Sequence, residues 1–454
     1  MTRPNTTGDI DFIPNDPLAE ADDPMRTEGA HHGQNGKVAR FRFPGGAPDS
    51  NTYRPGTMEF LYWQSRESAL AALDAFAACA GPLAAWAPEV RGSLEVVPNA
   101  GDDLNAFYDR RTLSFFVSQT ASGATCSGAS TDVVSHETGH AILDSLRPEF
   151  WNSALPEHAA FHEAFGDCMA ILTALNDDAT RKALLGKNGG LDAENFVESL
   201  AEELSDAVRR TMGPSHPASK PRHALNSFRW QVPSSLPTIG GPDVLSGEVH
   251  SFARIFTGCF YDTIRNIFST QRSRTSLDLA NAAKIAGKLL IDGARSALER
   301  PRLFEEVGIA MLVADQSANG SQNSIAIRQA FERHGIALTT TPTIHRTLAF
   351  AGPPGVVPAT SEVALSGLHP LLDGVVAEAP AIPSADFRTD YAVMDDGTPE
   401  RPTAEEEVRF FVTTLLARGS IGFQAEPAQT TTHIVASIGG KRVLKRIRFH
   451  APFC

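Results

Sequence analysis

Residues 131–146 read TDVVSHETGHAILDSL, and residues 156–175 read PEHAAFHEAFGDCMAILTAL. In both stretches apolar side chains recur every three to four residues, the period of a helix that buries one face. Thr131 or Asp132 suits the N-cap of the first helix, and Pro156 suits the first turn of the second. Within the first lies His136-Glu137-Thr138-Gly139-His140, an HExxH string. Residues four apart share a helix face, so His136 and His140 can aim imidazole nitrogens at one ion about 2 Å away. Glu137, one step on, points beside that ion, where a carboxylate can take a proton from bound water. A catalytic zinc takes three protein ligands and keeps a fourth position open. The second helix offers Glu163 and Asp167, also four apart: one to ligate, the other to hold a ligating His through its second nitrogen. His158 and His162 make a competing pair, but Glu163 points roughly 100° away from His162, so the helix cannot aim both at one ion.

Working outward, the chain has 454 residues, 42% of them apolar, which is enough for a large core and predicts two or three domains. A net charge of -13 argues against a phosphate-binding surface and so against nucleic acid. No run approaches the roughly 18 to 20 apolar residues of a membrane span. The N-terminus lacks the basic start and apolar stretch of a secretory signal. Cys79, Cys126, Cys168, Cys259 and Cys454 are odd in number and unpaired in spacing, which fits reduced thiols and a cytoplasmic location. Residues 1–55 carry recurrent Asp, Asn, Pro and Gly and predict a flexible leader. Residues 56–175 form an N-terminal lobe: a helix over 65–86, strands over 92–97 and 105–118, then the two helices already quoted. Residues 176–338 predict a mainly helical lobe, broken near 272–273, 300–301 and 319–320. Pro, Thr, Ala and Gly then mark 339–400 as a linker before a small module at 401–454.

Several separated stretches resemble the thermolysin-like, or gluzincin, zinc metallopeptidases. Asn105-Ala106-Phe107-Tyr108 resembles the family's edge strand, and Asp132 to Glu137 resembles the approach to its zinc helix. Phe161-His162-Glu163-Ala164-Phe165-Gly166-Asp167 is similar to the segment carrying the third ligand, and Val249-His250-Ser251 to a later helix start. Phe304 to Ile336 resembles the closing helices. The resemblance spans about residues 55–338. It implies an α+β, two-lobed gluzincin fold, with a mixed N-terminal lobe, a helical C-terminal lobe and an appended module. It also implies one catalytic Zn2+ on His136, His140 and Glu163, with Asp167 behind a ligand. Glu137 becomes the general base and His250 a donor to the oxyanion, held by Asp243 or Glu248. Asn105 and Ala106 would bind an extended peptide by strand addition, making a protein or peptide the substrate. The implied reaction is hydrolysis of internal peptide bonds.

The chain also departs from that pattern. The family's oxyanion Tyr is Ala154 here, with Trp151 and His158 as nearby substitutes, and its substrate-holding Arg is Asn226, with Arg222, Arg229 and Arg254 in reach. Asp132 matches a residue near the family's calcium cluster, but the other acidic ligands do not follow in place, so calcium is left open. The HExxH extension of the metzincins is missing, since Leu143 and Leu146 stand where Gly and His would be. Gly56-Thr57-Met58-Glu59-Phe60 resembles an aminopeptidase signature and supports a zinc aminopeptidase as an alternative. A second alternative is a non-catalytic binding or scaffold protein on a peptidase fold. The leader or the C-terminal module is a candidate cover for the cleft, and Cys454 a candidate thiolate for the metal.

Overall fold

A computed structural model of the chain describes residues 8–19, 25–30, 33–120, 123–187, 190–338, 360–381, 403–424, 428 and 430–450. The leader is built into the fold. Its strands β1 (Asp9–Phe12) and β2 (Arg26–Gly29) pair antiparallel, and β3 (Phe41–Arg42) joins a larger sheet. Ile10, Phe12, Ile13 and Phe41 are buried, so isolated apolar residues, too sparse to show a period, decide that this segment packs. Helix α1 (Met58–Ala80) begins earlier than expected, with the Thr57 hydroxyl accepting from Phe60 N, and ends at Gly81 before Pro82. The strands β4 (Leu94–Val97), β5 (Ala106–Tyr108) and β6 (Thr112–Phe115) follow, and β7 (Val117–Thr120) with β8 (Gly123–Cys126) makes a separate hairpin. The predicted strand over 105–118 is thus three short strands, split by the Asp109 turn and by Phe116.

Helices α2 (Thr131–Leu146) and α3 (Pro156–Asn176) occupy the ranges that periodicity predicts. The N-cap of α2 is Ser130, whose hydroxyl accepts from Val133 N, rather than Thr131 or Asp132. The two helices approach closely because Gly139 meets Gly166: a Cβ on Gly139 would lie 2.8 Å from the Gly166 Cα. After α4 (Asp178–Gly186), β9 (Ser199–Leu200), α5 (Glu202–Met212) and β10 (Arg222–His223), the helical lobe follows. It comprises α6 (Val249–Ser269), α7 (Ser276–Ser296), α8 (Leu303–Asn319) and α9 (Ser324–Arg333). A single apolar core joins α1, α2, α3 and this lobe, with Phe76, Phe161, Phe165, Phe256 and Phe304 fully buried.

The appended module begins well before residue 401. Strands β11 (Thr360–Ala364) and β12 (Val375–Pro380) come from the expected linker, of which residues 339–359 and 382–400 lie outside the described residues. They share a sheet with three strands that follow helix α10 (Ala404–Ala417), namely β13 (Ile421–Gly422), β14 (His433–Ile438) and β15 (Lys441–Arg446), in the order β11-β12-β15-β14-β13. The module's core includes Ala154, Leu155 and Ala159 at the start of α3, so it is packed onto the body. The chain then returns to the first lobe: β16 (Phe449–His450) pairs antiparallel with β5, giving the order β16-β5-β6-β4-β3. The strand expected to be a free edge is therefore covered by the chain itself. The architecture is mixed α+β, and no helix among the described residues is long and apolar enough to cross a membrane.

Candidate metal centre

The α2 and α3 helices bring His136, Glu137, His140 and Glu163 together, all at most 3% exposed. Glu163 Oε2 lies 3.3 Å from His136 Nε2 and 3.6 Å from His140 Nε2. Among the described residues none of these three atoms has a hydrogen-bond partner, nor has either oxygen of Glu137, although Glu163 Oε2 also lies at ion-pair distance from His250 Nε2. Orphaned buried polar atoms each carry a desolvation cost, so an arrangement that points three at one place is explained by something between them. Ligand atoms about 2.0–2.1 Å from a tetrahedral metal are spaced about 3.3 Å apart, close to the observed spacing. Two nitrogens and a carboxylate oxygen also form a common donor set for zinc. His136, Glu137 and His140 likewise each place a ligand atom within 4.8 Å of the others, a group that could hold a metal ion. Of the two carboxylates, Glu163 turns one oxygen toward both imidazoles and so could share an ion with them, with Glu137 to the side.

Asp167 organises the outer layer. His136 Nδ1 donates to its Oδ1 at 2.9 Å, which directs the Nε2 lone pair inward. Arg222 Nη2 donates to the same oxygen at 2.6 Å, and Thr257 Oγ1 donates to Oδ2 at 3.3 Å. Arg222 thus holds Asp167 through Nε and Nη2, and its buried Nη1 has no hydrogen-bond partner among the described residues, whereas Arg229 donates to Arg333 O and Arg254 to Pro242 O and Val244 O. Asn226 caps the backbone carbonyls of His223 and Arg254.

His250 enters from the first turn of α6. Its Nε2 lies 3.2 Å from Glu163 Oε2, and its Nδ1 donates to Glu248 Oε1 at 2.6 Å. Glu248 is also the N-cap, its other oxygen accepting from Ser251 N at 3.0 Å, so one carboxylate starts the helix and orients the imidazole. Asp243 does not hold His250. It is exposed and pairs with Lys220 at 2.6 Å, because the turn after Gly241 carries it outward.

The electrostatics describe a pocket that demands positive charge. Burial alone would discharge His250, yet Glu163 and Glu248 lift it to about 10. Burial likewise opposes charging His136, and Asp167 and Glu163 raise it to about 9. His140 has no such carboxylate bond, and burial lowers it to about 3, the neutral form a metal requires. Burial pushes Glu137 up to about 8.

His158 and His162 do not form a second site. His158 Nε2 meets Arg300 O at 3.0 Å, while the His162 ring lies 5.6 Å from that of His140. Trp151 Nε1 donates to Arg446 O at 3.2 Å, so neither Trp151 nor His158 is free to replace the missing Tyr. Asn105 is buried and Ala106 opens β5, which faces β16 on its outer side. Glu59 is exposed at the start of α1, whereas the metal group is buried, so the aminopeptidase-like segment is a helix cap. Cys454 lies outside the described residues. Cys79, Cys126, Cys168 and Cys259 are buried free thiols.

A second acidic group escapes sequence reasoning. Asp16 from the leader, Asp132 from α2 and Glu202 from α5 place carboxylate oxygens within 4.8 Å of one another, a set that could hold a cation. Burial and mutual repulsion raise the pKa of Asp132 and bring that of Glu202 to about 10. No local signal links residues this far apart in the chain. No protein-family model matches the chain, and no curated protein matches it.

Proposed function

We propose that the chain is a zinc metallopeptidase of thermolysin-like architecture that hydrolyses internal peptide bonds. The observation that carries this reading is the buried convergence of His136 Nε2, His140 Nε2 and Glu163 Oε2, without hydrogen-bond partners among the described residues, beside Glu137, whose oxygens also have none there. His136, His140 and Glu163 would hold a zinc ion there, which would supply Lewis acidity toward a carbonyl oxygen and a bound water. Glu137 accepts a proton from the attacking water as the carbon–oxygen bond forms, then delivers it to the leaving nitrogen as the carbon–nitrogen bond breaks. His250, oriented by Glu248, donates from Nε2 to the developing oxyanion. Arg222 and Asp167 hold the His136 ring so that its nitrogen stays aimed through the cycle. The β5 backbone is the surface on which an extended peptide adds as a strand.

Glu137→Gln keeps the shape and removes the base. In zinc-loaded protein it should lower cleavage of N-terminally blocked peptides by about 10²–10⁴-fold with zinc content unchanged. Equal rates for the two proteins, both above that of the peptide alone, would remove Glu137 as the base and with it this hydrolase assignment. Cleavage restricted to unblocked N-termini would point to an aminopeptidase instead.

A further inference from the structure

The outer edge of β5, where a substrate strand adds, is taken by a strand of the chain itself. Phe449 and His450 of β16 pair antiparallel with Tyr108 and Phe107. Such pairing uses the outward N–H and C=O groups of β5, the same groups that recognise an extended peptide. The Phe449 side chain is 1% exposed and stacks on two imidazoles, with ring centroids 4.7 Å from His140 and 4.1 Å from His162. Trp151 meets the same ring edge-on at 5.3 Å. The Arg446 guanidinium lies 4.0 Å above the Phe449 ring, and its Nε donates to Trp151 O at 3.0 Å, fixing the approach of the strand.

The rest of the module closes the remaining side. Arg418, just after α10, pairs with Glu248 Oε1 at 2.6 Å, the oxygen that also holds His250. Phe411, Thr414, Arg418, Thr432, Arg446 and Phe449 face Glu163 and His250 across a cavity of about 40 Å3. A ligand site takes several hundred Å3, so no peptide residue fits beside the metal group while the module sits there. Ala154 bears on the same point. Where the resemblance leads one to expect a Tyr, this small residue lies in the module's core and its N–H donates to Glu378 O of β12 at 2.9 Å.

We propose that the C-terminal module is an intramolecular inhibitor, with Phe449–His450 added to β5 as a pseudosubstrate strand and Phe449 filling the pocket that takes an aromatic substrate side chain. This rests on the peptidase reading of the same site. Access then requires the strand to leave β5, and apparent affinity for any peptide falls by the fraction of molecules that are closed.

The test uses the full-length, zinc-loaded chain and three proteins: wild type, Phe449→Asp and the milder Phe449→Ala, with thermal melts confirming that each folds. Three quantities are read: amide hydrogen exchange over 106–108, binding of a fluorescent peptide hydroxamate carrying a Phe side chain, and cleavage of a blocked Phe-containing peptide. In Phe449→Asp the exchange and the hydroxamate affinity should rise about tenfold or more over wild type, with Phe449→Ala between. Cleavage should rise by the same factor and vanish in Phe449→Asp/Glu137→Gln. Unchanged exchange and binding in both variants, or weaker binding, would overturn the inhibitor. Tighter binding with no cleavage by any protein would leave the inhibitory strand standing and remove the peptidase reading.

Discussion

At the scale of single residues, the centre is held by carboxylates that each do more than one thing. Asp167 accepts from His136, Arg222 and Thr257, so its charge fixes a tautomer and an orientation together. Asp167→Asn should weaken zinc binding by about 10–100-fold, measured by competition with a chromophoric chelator, while leaving the fold intact. Glu248 caps α6, orients His250 and receives Arg418. His250 itself makes no claim on the metal in this reading. His250→Ala should therefore retain zinc and lose cleavage by about 10²–10³-fold in the Phe449→Asp background, as removal of an oxyanion donor does. A loss confined to KM would assign His250 to substrate holding instead.

At the scale of elements, the geometry depends on how near α2 and α3 come. A Cβ on Gly166 would lie 2.7 Å from His136 Nδ1, and one on Gly139 would lie 2.8 Å from the Gly166 Cα. No rotamer relieves a clash between a helix backbone and a ligating ring. Gly166→Ala should cost about 1–3 kcal/mol in thermal or denaturant unfolding and lower zinc affinity as well, because the ring is displaced from Asp167. The acidic group ties three further elements together: the leader, α2 and α5. Two buried carboxylates and a half-buried one within 4.8 Å of one another are costly without a cation, so calcium should raise the melting temperature of wild type. One hundred times the dissociation constant would contribute about 2.7 kcal/mol. Asp16→Asn should lose that response. Both helices stand out in the sequence because a 3.6-residue period is a local property. The leader strands do not, since two to four residues are too few to show alternation.

At the scale of the whole molecule, the module and the body meet through acidic as well as apolar groups. Burial pushes Glu157 of α3 up to about 7, against the pull of Arg302, Phe304 N and the Trp230 indole, with Glu305 adding repulsion. Burial pushes Glu407 of α10 up to about 8, and Glu157 and Glu406 add repulsion while Ser234 partly offsets it. Both groups hold their protons more tightly folded than unfolded, so their contribution to stability is greatest below about pH 5 and is lost as pH rises toward about 8. Glu407→Gln should flatten that fall, leaving the variant of order 1–2 kcal/mol more stable than wild type above about pH 8 and nearly equal to it below about pH 5. Thermal melts across that range measure it; a constant difference would mean that the carboxylate does not titrate at the interface.

Taken by itself, the sequence determined what a helix repeats. Residues four apart must share a face, so the extents of α2 and α3 and the pairing of His136 with His140 could be stated before any tertiary contact was known. It also narrowed the third metal donor to Glu163 or Asp167, because both lie on one face of α3. Only the tertiary structure decided which carboxylate stands beside His250, since Glu248 and Asp243 both precede it closely in the chain and the turn before α6 carries one inward and the other outward. Only the tertiary structure joined Asp16 to Asp132 and Glu202, and Phe449 to His140. These contacts cross more than a hundred residues, and a strand two residues long pairs by the backbone groups it finds unpaired, which no side-chain pattern records.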